Sequence, residues 1–271
     1  MAQDNSIQVL TKIVAILDQL AVEGEATPAR LAELIGEPRS TVYRLLNNLQ
    51  RTNLVEAGAQ RGTYRLGLKL FRLGSAVMSR FNERQAALPV MERLHEETEE
   101  TVYLVVRRGF EAVCIERIEG RRVQILGTRL GDAVPLHVGA TPRILLAYEP
   151  HDFWEDYLAR GNLQAFTPRT PTTRDELLPL LQAILTDGYA VSDGDITPGI
   201  AAIGAPIFDH TGAIRAAISV SGIRSELLGN TDTKMDVIDK VVAGAKDISR
   251  ALGFEQSVEV PRRYKRRALA G

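Results

Sequence analysis

Between residues 9 and 24 the apolar positions Val9, Leu10, Ile13, Ile16, Leu17 and Leu20 return at helical spacing and stop at Gly24, which predicts a first helix. A shorter helix is expected in TPARLAELIGE, with Thr27 as N-cap, Pro28 at the first helical position and Gly36 at the end. In EPRSTVYRLLNNLQR, at about 100° per residue, Val42, Leu45, Leu46 and Leu49 share one side, and Ser40, Tyr43, Arg44, Asn47 and Arg51 share the other. NLVEAGAQRGTYRLG then places two short strand-like runs around a Gly-containing turn, a hairpin with Gln60 and Arg61 at its tip. Three helices and a hairpin predict a winged helix-turn-helix. Next, Leu66, Leu70, Leu73, Val77 and Phe81 keep a helical period that Pro89 interrupts or kinks. This stretch is too apolar for a flexible tether, so a rigid linker helix packed against its own copy or the first helix is expected.

From Thr101 the pattern turns β-rich in TVYLVVRRG, EAVCIERIEG and RRVQILGTRLG, each closed by Gly. A helix is expected in GATPRILLAYE, with Thr141 as N-cap and Pro142 first in the helix, and another in RDELLPLLQAILTDG. Strands are expected in GYAVSDG, GIAAIGAPIFD and AIRAAISVSG, and a closing helix over 234–251. The order predicts an α+β domain with helices around a largely antiparallel sheet. The expected divisions are 1–67 for the winged helix-turn-helix domain, 68–88 for the linker helix, 89–255 for the α+β domain and 256–271 for a disordered basic tail.

Composition narrows the class. The chain has 271 residues, 45% hydrophobic and 25% charged, enough for two globular domains. No apolar run reaches the roughly 18 residues of a membrane span, and MAQDNSIQVL lacks the layout of a secretion signal, so a cytoplasmic location is expected. Cys114 stands alone with four scattered histidines, which excludes an internal disulfide and gives no zinc-site spacing. There is no P-loop and no G-x-G-x-x-G, so neither metal nor cofactor is expected. The net charge of −1 hides a segregation. Residues 1–80 hold ten bases against seven acids, the last eleven residues hold five bases and no acid, and residues 81–260 carry a net −9. Such asymmetry suggests two regions with different partners.

The polar face of the third helix carries no carboxylate, whereas faces that are merely solvated mix both signs. Arg and Asn match the hydrogen-bonding pattern of base edges in a major groove, so Arg44 and Asn47 are expected to read bases of double-stranded DNA. Ser40, Thr41 and Tyr43 would meet phosphates or thymine methyls, and Arg39, Arg61 and Arg65 would hold phosphates. Thr27, Arg30 and Arg51 complete the expected DNA-binding set. A solvated surface helix, or a domain turned to protein contacts, is the alternative, and the acid-free face argues against the second. An enzyme is also conceivable on paper: Ser219 or Ser221, His137 and Asp193 supply a nucleophile, base and orienter for a hydrolase. However, SVSG inside a strand is not the strained turn on which such a serine is presented.

TPARLAELIGEPRSTVYRLLNNLQRTNLVE, YRLGLKLFRLG, LGDAVPLHVGA, LLAYE, DGYAVSDGDITPGIAAIGAPIFD and AAISVSG, in this order, resemble the IclR family of bacterial transcription regulators over nearly the whole chain. The resemblance implies a GAF-like effector domain, dimers that assemble into tetramers, and operator binding altered by a small organic or aromatic acid. It implies an effector pocket at Val134, Leu136, His137, Gly139, Ala140, Asp193, Ile200, Ala202, Ser219 and Ser221. Physical reasoning points to the same place. The N-terminus of the helix after Ala140 offers unpaired N–H groups to a carboxylate, and Ser219 and Ser221, two apart on a strand, project from one face. Pro142 and Arg143 stand where many members have Gly-Lys, and Ala202 where a Cys or similar polar residue is common. These departures lean the expected effector toward a larger, partly aromatic acid or amide. The regulator is expected to be a repressor whose operator binding the effector modulates.

Overall fold

The computed structural model describes residues 2–78, 82–121, 128–161 and 163–254. The chain folds as two compact units that divide between residues 80 and 81, inside the expected linker.

In the N-terminal unit, α1 (Ala2–Glu23), α2 (Pro28–Ile35) and α3 (Arg39–Arg51) enclose a core that includes Ile16, Leu20, Leu31, Val42, Leu45, Leu46 and Leu49. Burying each of these large side chains contributes roughly 1.5–3 kcal/mol before the entropy of ordering is subtracted. Both ends of α2 are as the sequence requires. The Thr27 hydroxyl accepts the Arg30 N–H at 3.2 Å, and Gly36 adopts φ +68° so that Glu37 N–H reaches the Ala32 carbonyl at 3.1 Å. The expected hairpin is β2 (Val55–Ala57) with β3 (Tyr64–Leu66), and β1 (Glu25–Ala26) adds an unexpected third strand in the order β1-β3-β2. A two-residue strand is too short to leave a periodic signal. The linker stretch begins with α4 (Leu68–Met78), on which Leu68 and Phe71 are exposed. The side chains of Val77 and Phe81 lie outside the described residues.

The C-terminal unit opens with α5 (Asn82–Thr98), which continues through Pro89 rather than breaking there. Its buried positions Glu83, Ala87, Val90, Met91 and Leu94 keep helical spacing, and Pro89 is exposed. Then follow β4 (Thr101–Arg108), β5 (Glu111–Ile118), β6 (Ala133–Pro135), α6 (Ala140–Ala147), α7 (His151–Ala159), α8 (Arg174–Asp187), β7 (Ala190–Asp193), β8 (Ile200–Phe208), β9 (Ile214–Ile223), α9 (Arg224–Leu227) and α10 (Thr231–Ala251). The strands form one antiparallel sheet in the order β6-β5-β4-β9-β8-β7. One face packs Leu104, Ile203, Ile218 and Val220 against α5 and α10, and the other packs Val105 and Ala217 against α6, α7 and α8. With both faces covered, the central strands are apolar nearly throughout, which is why they read as runs rather than strict alternation.

Some expectations shift. The closing helix begins at Thr231, three residues early, because Asn230 accepts the Asp232 N–H at 2.7 Å as N-cap. Helix α6 begins at Ala140 with Gly139 as N-cap at φ +89°, so Thr141 is not the cap and lies within the helix, buried. The dihedral favours glycine, and a Cβ on Gly139 would stand 2.6 Å from Ile196 Cδ1 and push that side chain aside. Residues 122–127 of RRVQILGTRLG, and the tail over 256–271, lie outside the described residues.

Candidate DNA-reading face and effector cavity

On α3 the core side is shut: Val42 and Leu46 are fully buried, and Leu45 and Leu49 nearly so. That packing fixes which side faces outward. Ser40, Tyr43, Arg44, Asn47 and Arg51 are exposed, as is Arg39 at the first position, while Thr41 is half-buried. Among the described residues none of the side chains of Arg39, Ser40, Tyr43, Arg44, Asn47, Arg51 and Arg61 makes a hydrogen bond or ion pair, so their donors are free for a partner. Pro38 caps α3 with no side-chain bond, leaving the first N–H groups open as well.

Three other candidates have local work. The Thr27 hydroxyl is committed to its cap, Arg30 lies 3.6 Å from Glu23 and 3.9 Å from Glu33, and Arg65 pairs with Glu56 at 2.9 Å. The structure also brings in supports that the sequence reading missed. Glu25 of β1 accepts the Ala59 N–H at 2.8 Å and so braces the hairpin turn. Lys12 of α1 reaches Glu37, just ahead of α3, at 2.9 Å. Lys69 of α4 donates to the Thr52 carbonyl at the C-terminal end of α3 at 3.0 Å, a cation on the negative end of the helix dipole. Each joins segments distant in the chain and therefore leaves no local pattern.

In the C-terminal unit, register brings the two candidate serines together. Ser221 lies opposite Thr101 and Ala202, and Ser219 opposite Tyr103 and Gly204, all on the α6 side of the sheet. There they wall a cavity of about 70 Å³, to which Val134, Ile200 and Ala202 also contribute. Hydroxyls of Tyr103, Thr128, Thr141, Ser192 and Thr197 complete the polar lining. Among the described residues, none that lines it is a lysine or arginine.

The other expected pocket residues stand elsewhere, each for a physical reason. Asp193 does not line the cavity, because along β7 alternate side chains point to opposite faces; Ser192 turns inward, and Asp193 pairs outward with Arg224 and Arg169, each at 3.0 Å. The Arg224 hydrogen bond, first among the causes, holds its carboxyl below the usual range. His137 is a packed histidine. Its Nε2 faces the Gln164 carbonyl at 3.0 Å, which can only accept, so Nε2 carries the proton and Nδ1 accepts from the Tyr157 hydroxyl at 2.7 Å. Burial depresses its pKa, and burial pushes the Tyr157 phenol up to about 12. Leu136 belongs to the core, and neither Gly139 nor Ala140 lines the cavity.

The expected carboxylate seat at the N-terminus of α6 is already filled. Asp195 accepts the Gly139 N–H at 3.1 Å and bonds the Ser192 hydroxyl and the Arg143 guanidinium. Arg143 spends a second nitrogen on the Val191 carbonyl at 2.9 Å, and Thr170 donates to the Asp195 carbonyl at 2.6 Å. Arg143 and Asp195 are both buried, so this is an internally neutralised pair that fastens the β7–β8 loop to α6. The hydrolase constellation is not assembled: the Ser221 hydroxyl donates to the Ala201 carbonyl at 3.1 Å, and His137 and Asp193 are held by the other partners just described.

A winged helix-turn-helix followed by a separate α+β unit with a cavity between its sheet and α6 is the layout of a two-domain transcription regulator. Comparison with known proteins agrees. Residues 75–250 match the family described as bacterial transcriptional regulator IclR C-terminal, and residues 9–58 match the IclR helix-turn-helix domain. The chain is 32% identical to the HTH-type transcriptional repressor AllR of Escherichia coli strain K12, over 92% of this chain and 91% of that one. The crystal structure of Thermotoga maritima IclR aligns with TM-score 0.77 at 32% identity, covering 92% of this chain and all of that one. An IclR homologue from Microbacterium hydrocarbonoxydans complexed with 4-hydroxybenzoate aligns with TM-score 0.74 at 25% identity, covering 90% and 99%. The chain belongs to the IclR family of transcription regulators, and its relatives are DNA-binding regulators rather than enzymes.

Proposed function

We propose that this regulator lays α3 in the major groove of an operator, with Arg44 and Asn47 on base edges and Arg39 and Arg61 on phosphates, and that a small molecule in the hydroxyl-lined cavity alters that binding. The observation that carries the DNA reading is the exposed face of α3, which has no acid and no intramolecular partner among the described residues. Four buried leucine and valine side chains fix which side of α3 faces outward, and the donors on that side need break no intramolecular hydrogen bond among the described residues to meet a partner. Among relatives, AllR is a repressor, and we read this chain as one too.

The effector is a small organic acid or amide bound by hydrogen bonds from Ser219, Thr141 and their neighbours. A relative crystallised with 4-hydroxybenzoate supports an organic acid. A cavity of about 70 Å³ is well below the roughly 300–1,000 Å³ of ordinary ligand sites, so a ligand of few heavy atoms fits without rearrangement and an aromatic ring needs the walls to part. The protein acts as a homodimer in the cytoplasm and as a dimer of dimers at the operator. Support for pairing comes from Ile7, Leu10 and Val14, which form an exposed apolar stripe at helical spacing on α1, and from exposed Leu68 and Phe71 on α4. No helix among the described residues is long and apolar enough to cross a membrane.

The test is fluorescence anisotropy of labelled DNA from the gene's own upstream region, titrated across a salt series and against scrambled competitor. Binding that survives competitor is expected, with release by small acids or amides. Affinity that vanishes equally for every sequence as salt rises would reduce the interaction to phosphate attraction and refute the operator reading.

A further inference from the structure

We propose a second small-molecule site, specific for a flat aromatic monocarboxylate, in the cleft where α10 passes the outer edge of β8. It encloses about 650 Å³, within the roughly 300–1,000 Å³ of ordinary ligand sites, and shares no lining residue with the hydroxyl-lined cavity.

The cleft exists because β7 is short. It pairs with β8 only between Ala201 and Gly204, so among the described residues the edge of β8 from Ala205 to Phe208 has no neighbouring strand. An open edge ordinarily invites a peptide strand, but Pro206 has no N–H to offer, and the Phe208 N–H is already given to the Ser249 hydroxyl at 3.0 Å. Both facts turn the edge away from strand addition. What it offers instead is a set of aromatic surfaces. Tyr148 meets Phe208 edge-on at 5.0 Å between centroids, and Phe254 lies against Phe208 at 5.4 Å. All three rings line the cleft, with Ala205, Pro206 and Val242 completing the apolar wall.

The polar groups select the ligand's charge. Ser249 is spent on Phe208 and on the Ala245 carbonyl, and Arg250 is paired with Asp247 at 2.6 Å. Lys246 lines the same cleft, is exposed, and makes no ion pair or hydrogen bond among the described residues. A carboxylate is therefore attracted to an ammonium that no ion pair holds among the described residues, beside aromatic walls. Asp187 lines the cleft as well, at the C-terminal end of α8, and limits the anionic charge the cleft accepts, which favours a monoacid over a diacid.

The experiment is calorimetric titration of the full-length protein with 2-naphthoate and with its neutral counterpart 2-naphthamide. One naphthoate per chain is expected, bound at least about fivefold more tightly than the amide. Lys246→Gln removes that preference while leaving the thermal melt unchanged, and Val242→Phe, which fills the cleft at a half-buried position, abolishes binding of both. Naphthoate and naphthamide binding equally, or Lys246→Gln leaving the preference intact, would overturn the proposal. So would loss of binding in Ala202→Leu with retention in Val242→Phe, which would place the probe in the other cavity. Binding that appears only when the chain is cut after Phe254, or only when the protein is diluted to monomer, would assign the cleft to the chain's own C-terminal segment or to a second copy, and would equally overturn it.

Discussion

Replacing Asp195 by alanine isolates the charge pair beneath the hydroxyl-lined cavity. The substitution strips a partner from three donors at once: the Arg143 guanidinium, the Ser192 hydroxyl and the Gly139 N–H. Arg143 keeps only its bond to the Val191 carbonyl and is left as an uncompensated charge with 3% of its surface exposed. Stranding a buried ion of this kind costs about 3–5 kcal/mol, and the two neutral donors would add roughly 1–3 kcal/mol each if water failed to reach them. These contributions overlap, so the expected loss is about 4 kcal/mol, with a urea slope of about 2 kcal/mol per molar lowering the midpoint of this unit by roughly 2 M. Trp154 is the chain's single tryptophan, buried and donating to the Leu146 carbonyl of α6 at 2.7 Å, so its fluorescence follows this unit alone. Adding Arg143→Met removes the stranded charge while keeping most of the volume, and the double variant recovers most of the loss. A loss below about 1 kcal/mol in Asp195→Ala, or a double variant no more stable than the single one, would refute the reasoning.

In anisotropy titrations Arg44→Ala lowers specific affinity by about 1–3 kcal/mol and relaxes base preference at one position, whereas Arg61→Ala weakens all sequences alike and reduces the salt slope by about one; unchanged operator preference in the first would remove Arg44 from the base-reading set. Leu46→Ala, at a fully buried position of α3, costs roughly 2–5 kcal/mol by loss of packing, read as early melting of the N-terminal unit by hydrogen exchange. Burial holds the His137 pKa below its ordinary 6.5, so the unfolded chain binds more protons than the folded one just below that value. Stability measured through Trp154 is therefore undiminished above about pH 6.5 and declines as pH falls below it. His137→Gln removes that decline, and an identical pH profile in the variant would show that other groups cause it. Gly139→Ala, forced to keep φ +89° with its Cβ against Ile196, lowers the melting temperature and loosens the β7–β8 loop, seen as faster amide exchange at residues 194–199.

Legibility in the sequence followed the range of the signal. α3 was readable because one turn of helix repeats its pattern every few residues, and its four apolar positions are the ones the core takes. Ser219 and Ser221 were readable as a pair because a strand of period two sends both to one side. Asp193 shows the limit of the same signal: alternation says that Ser192 and Asp193 part company, but only the sheet's packing decides that Ser192 is the one that lines the cavity. Thr141 resembles a helix cap in sequence, yet Gly139 and its left-handed dihedral start α6 two residues earlier and leave Thr141 to the cavity.

By itself the chain's order of residues determined the helices of the winged unit, the acid-free outer face of α3, the antiparallel α+β character of the second unit and the family to which both belong. These depend on local periodicity, capping residues and turn chemistry, which act over a few positions. The tertiary structure alone decided that Asp195 fills the helix end expected to hold a ligand, that Glu25 braces the hairpin, that Lys69 caps α3, and that β7 stops short and leaves a cleft along β8. Each of these joins side chains from segments far apart in the chain, and partners chosen by packing rather than by spacing leave no trace in a linear pattern.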